Sequence, residues 1–205
     1  MNEIEKRIMS HVAKGNKKLP STIWIFNAGS SRNCPSRKLG LCQIEKKCYA
    51  DKAEVQYPAT FPYRERQEKI TKEIKASVFA QAVIDAKARA RNKNISFRYN
   101  ESGDFRNQKQ ADWFTKVCKE LQKNGIPCYG YTARTDLNLS ELAKVSTVNC
   151  SNTKHNYGKL RKAKKINRFK AVKKYTGKNL KCAGNCRKCS LCQKMKGKTI
   201  EVEIH

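Results

Sequence analysis

Acidic side chains are scarce in this 205-residue chain: 17 Asp and Glu stand against 45 Lys and Arg, a formal net charge of +28. Such a chain repels itself unless a polyanion or counterions offset the charge, and the commonest polyanion is nucleic acid, DNA or RNA. Long apolar runs are absent too, which excludes a membrane-spanning helix. The first ten residues are polar and mixed in charge, so no signal peptide is expected and the cytoplasm is the default compartment. With export goes the oxidising environment that a disulfide framework needs. Ten cysteines in a reducing compartment point to metal instead. What is present is 39% apolar residues, enough for one core with a small appendage.

Short elements alternate along the chain. Residues 22–27, TIWIFN, read as a strand. Residues 32–62, rich in Cys, Pro and Gly, read as a long functional loop. From 63 to 92, Ile70, Ile74, Val78 and Ala82 recur every four residues and predict one helix. Ile95, Phe97 and Tyr99 alternate as a strand, residues 101–104 turn, and 108–123 form a helix ended by Asn124 and Gly125. Residues 126–132 and 146–150 read as strands, with a short helix over 141–145 between them. The alternation predicts an α/β fold: a parallel sheet or partial (β/α) barrel with crossover helices. This core domain covers residues 1–150. A basic, Cys-rich C-terminal segment, 151–205, would pack on it and end in a half-buried strand at 199–205.

That segment belongs to a span, 144–198, holding 18 basic residues and no acidic one. Lys159, Arg161, Lys162, Lys164, Lys165, Arg168, Lys170, Lys173 and Lys174 are the candidate phosphate contacts, on a basic helix or on a solvated charge run.

Two cysteine groups carry the chemistry. Cys182, Cys186, Cys189 and Cys192, spaced C-x3-C-x2-C-x2-C, put four thiolates within eleven residues. All-Cys ligation suits a [4Fe-4S] cluster or zinc, and one compact run favours the cluster over two separated zinc knuckles. Cys34, Cys42 and Cys48 form a second trio in the loop after the first strand, where sites gather in parallel sheets. Three ligands leave one coordination position open. The trio holds a second centre, serves a purely structural one, or shares the first. Cys118, Cys128 and Cys150 are read as core.

Asn33-Cys34-Pro35, Leu41-Cys42, Cys48-Tyr49-Ala50, Tyr63, Arg64 and Arg66 resemble a family of phage and mobile-element proteins known as gene product 88. The resemblance runs on through Phe97-Arg98, Ser102-Gly103-Asp104-Phe105, Tyr131-Thr132-Ala133-Arg134 and the closing cysteines, covering residues 24–192. The chain is also distantly similar to radical S-adenosylmethionine enzymes. That similarity implies a partial barrel, a [4Fe-4S] cluster on Cys34, Cys42 and Cys48 with S-adenosylmethionine on its open iron, and an auxiliary cluster on the C-terminal four. Ser102 and Gly103 would then bind the cofactor. The trio's C-x7-C-x5-C spacing departs from the C-x3-C-x2-C of those enzymes.

The resulting expectation is an iron–sulfur protein associated with nucleic acid, leaning towards an enzyme, with Asp104 as base or orienting carboxylate and Arg134 as anion clamp. The alternative is a binding module or adaptor without chemistry, stapled by structural zinc or a structural cluster. Trp24, Trp113 and Tyr157 could stack on bases, with core packing the plainer role for the tryptophans.

Overall fold

A computed structural model describes residues 1–44, 47–151, 153 and 166–203. Among these residues the chain forms a mixed α/β fold with eight strands in one sheet and eight helices. The spatial order of strands is β1(Ala13–Lys14), β2(Ile23–Phe26), β3(Ser96–Tyr99), β4(Cys128–Thr132), β5(Thr147–Ser151), β6(Asn167–Val172), β8(Thr199–Glu203) and β7(Leu180–Lys181). Only the β1–β2 pair is antiparallel.

Strands β2 to β5 neighbour one another in chain order, all parallel. Right-handed crossovers of that kind place every connecting helix on one face. On that face lie α5(Ala76–Arg89), α6(Gln108–Lys123) and α7(Ser140–Val145), with α1(Glu3–Met9) packed against α5. They enclose a core built around Phe26, Phe79, Phe97, Tyr99, Phe105 and Phe114. Helix α6 shows the local logic. Asn107 caps it by accepting from the Gln110 N–H at 3.0 Å, and Ala111, Phe114, Val117, Cys118 and Leu121 form its buried stripe. Gly125, at φ 66°, releases the chain into β4. Cys118, Cys128 and Cys150 are all buried in this core, as expected.

Three stretches differ from expectation. The loop at 32–62 carries α2(Pro35–Lys38), α3(Tyr49–Gln56) and the start of α4(Thr60–Glu73). The helix expected over 63–92 is two helices, α4 and α5, broken at Ile74, whose backbone is extended. Its carbonyl, freed from the helix, accepts from the Trp113 indole N–H at 2.8 Å. With the break, Val78 turns out to solvent, and Ala76, Phe79, Ala80 and Val83 become the core stripe of α5. In the basic stretch, Asn167–Val172 is a strand, β6, where the sequence also allows a helix. The expected strand at the chain's end is β8, over Thr199–Glu203.

Gly130 marks the tightest packing in the sheet. A Cβ there would lie 2.1 Å from the Tyr99 ring, whose hydroxyl is tied to Ser146 Oγ at 3.0 Å and cannot swing away freely. Gly130→Ala should therefore destabilise the fold by about 1–3 kcal/mol, the usual cost of overpacking, read as a lower urea midpoint at unchanged slope.

Candidate functional site

The carboxyl ends of β2 to β5 surround a cavity of about 100 Å³. Cys34, Cys42 and Cys48 all line it, although fourteen residues of chain separate the first from the last. Cys34 and Cys48 occupy the N-cap positions of α2 and α3 without a side-chain cap hydrogen bond, so both short helices begin at the cavity. Asn100 to Asp104 enter from the end of β3, and Thr132 and Ala133 from the end of β4. Asn100 has φ 54°, the only positive φ of a non-glycine among the described residues, a backbone state that Asn tolerates better than most. Gly103 also has positive φ and sits so near Gly29 that a Cβ would meet its carbonyl oxygen at 2.4 Å.

Asp104 ties the cavity wall together. Its carboxylate is buried and accepts from Ser36 Oγ at 2.6 Å, Thr132 Oγ1 at 2.7 Å, Ala133 N at 2.7 Å and Phe105 N at 2.8 Å. Burial pushes this carboxyl above its ordinary value, and the four hydrogen bonds counter that push. Ser36 is two residues from Cys34, so Asp104 fixes the trio's loop to both strand ends. Helix α6, which follows, takes its cap from Asn107 and leaves the Asp104 carboxylate to the cavity wall.

A second clamp lies below. Glu54 and Arg64 form a buried ion pair at 2.8 Å. Glu54 accepts from the backbone N–H of Ser31 at 2.7 Å and of Arg32 at 3.2 Å, and Arg64 donates to the carbonyl of Ala50 at 3.0 Å. The pair thus grips the chain just before Cys34 and just after Cys48. Burial alone would raise the Glu54 carboxyl, but the Ser31 N–H and the Arg64 guanidinium hold it below its usual range. Burial, helped by the negative charge of Asp104, pushes the Cys34 thiol up to about 12. Arg37 enters the same cavity, donates to Ser31 O at 3.1 Å and pairs with Asp51 at 3.0 Å.

Ser102 and Gly103 line the cavity; the Ser102 N–H donates to Asn27 Oδ1 at 2.9 Å. Arg134 does not line it. Its guanidinium is turned inward, paired with both oxygens of Asp136 at 2.8 and 2.7 Å and bonded to the carbonyls of Phe105 and Arg106. An incoming anion would have to displace these partners.

Cys182, Cys186, Cys189 and Cys192 line a smaller cavity, about 40 Å³, on the sheet face opposite the crossover helices. Cys186 and Cys192 pack against Leu19, Ile23, Ile25 and Tyr129. Asparagines of the sheet hold the run in place: Asn149 Nδ2 donates to Cys192 O at 2.9 Å, and Asn167 Nδ2 to Met195 O at 2.6 Å. Burial raises the thiols of Cys186 and Cys192 above their ordinary values, while the Arg98 charge pulls both down. All ten cysteines are free.

Among the described residues, no three His, Cys, Asp or Glu side chains are drawn close enough to grip a metal ion as they stand. The donor set is nonetheless one that soft metals take: thiols, with Arg37 near one group and Arg98 near the other to offset thiolate charge. At about 100 Å³ the larger cavity is well below the roughly 300–1,000 Å³ of ordinary small-molecule sites. A nucleoside cofactor would have to lie mostly outside it.

Arg168, Lys170, Lys173 and Lys174 are exposed, the first two on alternate positions of β6. Lys159, Arg161, Lys162, Lys164, Lys165 and Tyr157 lie outside the described residues. Trp24 is buried and Trp113 packs against the core, so neither offers a ring for stacking on bases. The expectations from sequence missed Glu54, Arg37 and Arg98. Arg98 falls on the polar phase of an alternating strand, where the sequence marks it as solvent-facing.

The family described as Gene product 88 matches residues 5–157. That span includes the trio, Ser102 to Asp104 and Tyr131 to Arg134, and it stops short of the C-terminal cysteine run. No curated protein and no solved structure matches the chain.

Proposed function

We propose that this chain, which belongs to the gene product 88 family, is an iron–sulfur protein that works on or alongside nucleic acid. The observation that carries the reading is the convergence of Cys34, Cys42 and Cys48 on one cavity at the carboxyl edge of a parallel sheet. Three cysteines brought together there, braced by Asp104 and by the Glu54–Arg64 pair, are more than core packing requires. A trio leaves one position of a four-iron centre open to an exogenous ligand, and the C-terminal four supply a closed set. Held by the trio, a cluster would supply one-electron chemistry or Lewis acidity at its open position.

In this reading Asp104 is a positioning residue, since its oxygens are already engaged by four donors. Ser102 and Gly103 form the wall that a ligand of the open position would meet. Arg134 braces the strand ends through Asp136. The distant likeness to radical S-adenosylmethionine enzymes enters here as one form of the chemistry, with the cofactor reaching in from the open side. Net charge supports the nucleic-acid partner: +28 over 205 residues, with Lys170, Lys173 and Lys174 exposed.

Protein made and kept without oxygen should be brown and contain iron and acid-labile sulfide. Cys34→Ser should lower the iron content without abolishing it, because the C-terminal four remain. A colourless protein with stoichiometric zinc overturns the iron–sulfur reading and favours a stapled module.

A further inference from the structure

The two cysteine cavities share a wall. Tyr131 lines both, with the trio on one side and the C-terminal four on the other. Its position follows from the pleat. On β4, Cys128 and Gly130 face the helices, and Tyr129 and Tyr131 face the opposite side, where Cys186 and Cys192 pack. The Tyr131 hydroxyl lies close to the Cys192 sulfur and draws that thiol down against the push of burial. The Arg98 guanidinium, from β3 alongside, lies over the Tyr131 ring at 5.0 Å from its centroid. Arg98 Nε is buried and has no hydrogen-bond partner among the described residues. A cation kept there must be balanced by something: the ring of Tyr131 gives part of that balance, and thiolate sulfur beside it would give the rest.

We propose that Tyr131, backed by Arg98, is a positioning pair shared by the two cysteine centres: it sets the reduction potential of the C-terminal centre and passes that centre's occupancy to the carboxyl-edge centre. This rests on the reading that both groups hold iron–sulfur clusters. A hydrogen bond and a cation at a ligand sulfur favour the more negative, reduced state of a cluster, so both raise its potential. Occupancy is transmitted because a ring packed between two cavities, with Phe169 edge-on at 5.3 Å, cannot move on one side without moving on the other.

The test uses the full chain reconstituted anaerobically with ferrous iron and sulfide. Tyr131→Phe keeps the ring and removes only the hydroxyl. It should keep the iron and sulfide content and shift the midpoint potential of the C-terminal centre to more negative values. Arg98→Gln, which removes the cation, should shift it in the same direction and serves if Tyr131→Phe does not fold. Coupling is read from the electron paramagnetic resonance signal of the carboxyl-edge centre. Replacing the four C-terminal cysteines with Ser should alter that signal, and should alter it less in the Tyr131→Leu background, which takes the packed ring away. Unchanged potentials in both variants, or strictly additive changes in the signal, overturn the coupling while leaving the metal reading intact. If the unchanged chain takes up no iron, the metal reading fails and the coupling falls with it.

Discussion

Asp104→Ala should cost the fold about 3–5 kcal/mol, close to the whole stability margin of many domains. The carboxylate it removes receives two hydroxyls and two backbone N–H groups inside the protein. Each buried donor left without a partner costs roughly 1–3 kcal/mol, and water entering the adjoining cavity would recover part of that sum. Asp104→Asn should be nearly as damaging although it keeps the shape. An amide presents one acceptor and one donor, so a side facing Ser36 and Ala133, or one facing Thr132 and Phe105, meets donor against donor. Urea unfolding of both variants checks this. A loss under about 1 kcal/mol for the Ala variant would show that Asp104 is not what holds the cavity wall together. The same variants should lose iron at the trio before the C-terminal run, because Ser36 and Cys34 share the short helix that Asp104 anchors.

How much of this could be read from sequence depended on whether the deciding partner was local. Strands β2, β3, β4, β5 and β8 and helix α6 were legible because their side chains repeat with the period of their own element. The break between α4 and α5 was not. It depends on Trp113, 39 residues away in sequence, which satisfies the Ile74 carbonyl. Strand β6 was hidden by its lysines. Its period of two is present, with Asn167 and Phe169 buried and Arg168 and Lys170 exposed, but the basic composition on either side masks it. The two cysteine groups were legible by type and spacing, as was the placing of the trio at the strand ends. The supports were not. Arg98 alternates with Phe97 and Tyr99 and so looked like a solvent-facing residue, yet the second face of the sheet is covered by a tail that follows almost ninety residues later. Glu54 sits on α3 in a stretch with no apolar period, and only the folded chain shows that it grips the backbone at Ser31 and Arg32.

Binding to single-stranded or duplex nucleic acid should weaken steeply as salt rises. A protein neutralising about 6–10 phosphates loses roughly 10³–10⁵ in affinity between 50 and 200 mM salt, because released counterions drive the binding. The charge of this chain is far above what such binding needs, and the basic span at 144–198 has no acidic residue to dilute it. Part of that charge faces solvent: Lys170, Lys173 and Lys174 are exposed around the end of β6. Replacing these three with Gln should lower the slope of log K against log salt by about 0.9 for each phosphate no longer neutralised, without changing preference among sequences, since phosphates carry no sequence information. Fluorescence anisotropy with labelled single strands and duplexes, each titrated at several salt concentrations, measures the slope directly. An affinity that hardly changes with salt, or a slope indifferent to the triple substitution, would move the binding face away from β6. A comparison of DNA with RNA strands of the same sequence would then identify the polyanion, because only recognition of the 2′-hydroxyl or of a strand's shape separates the two once their charge is matched.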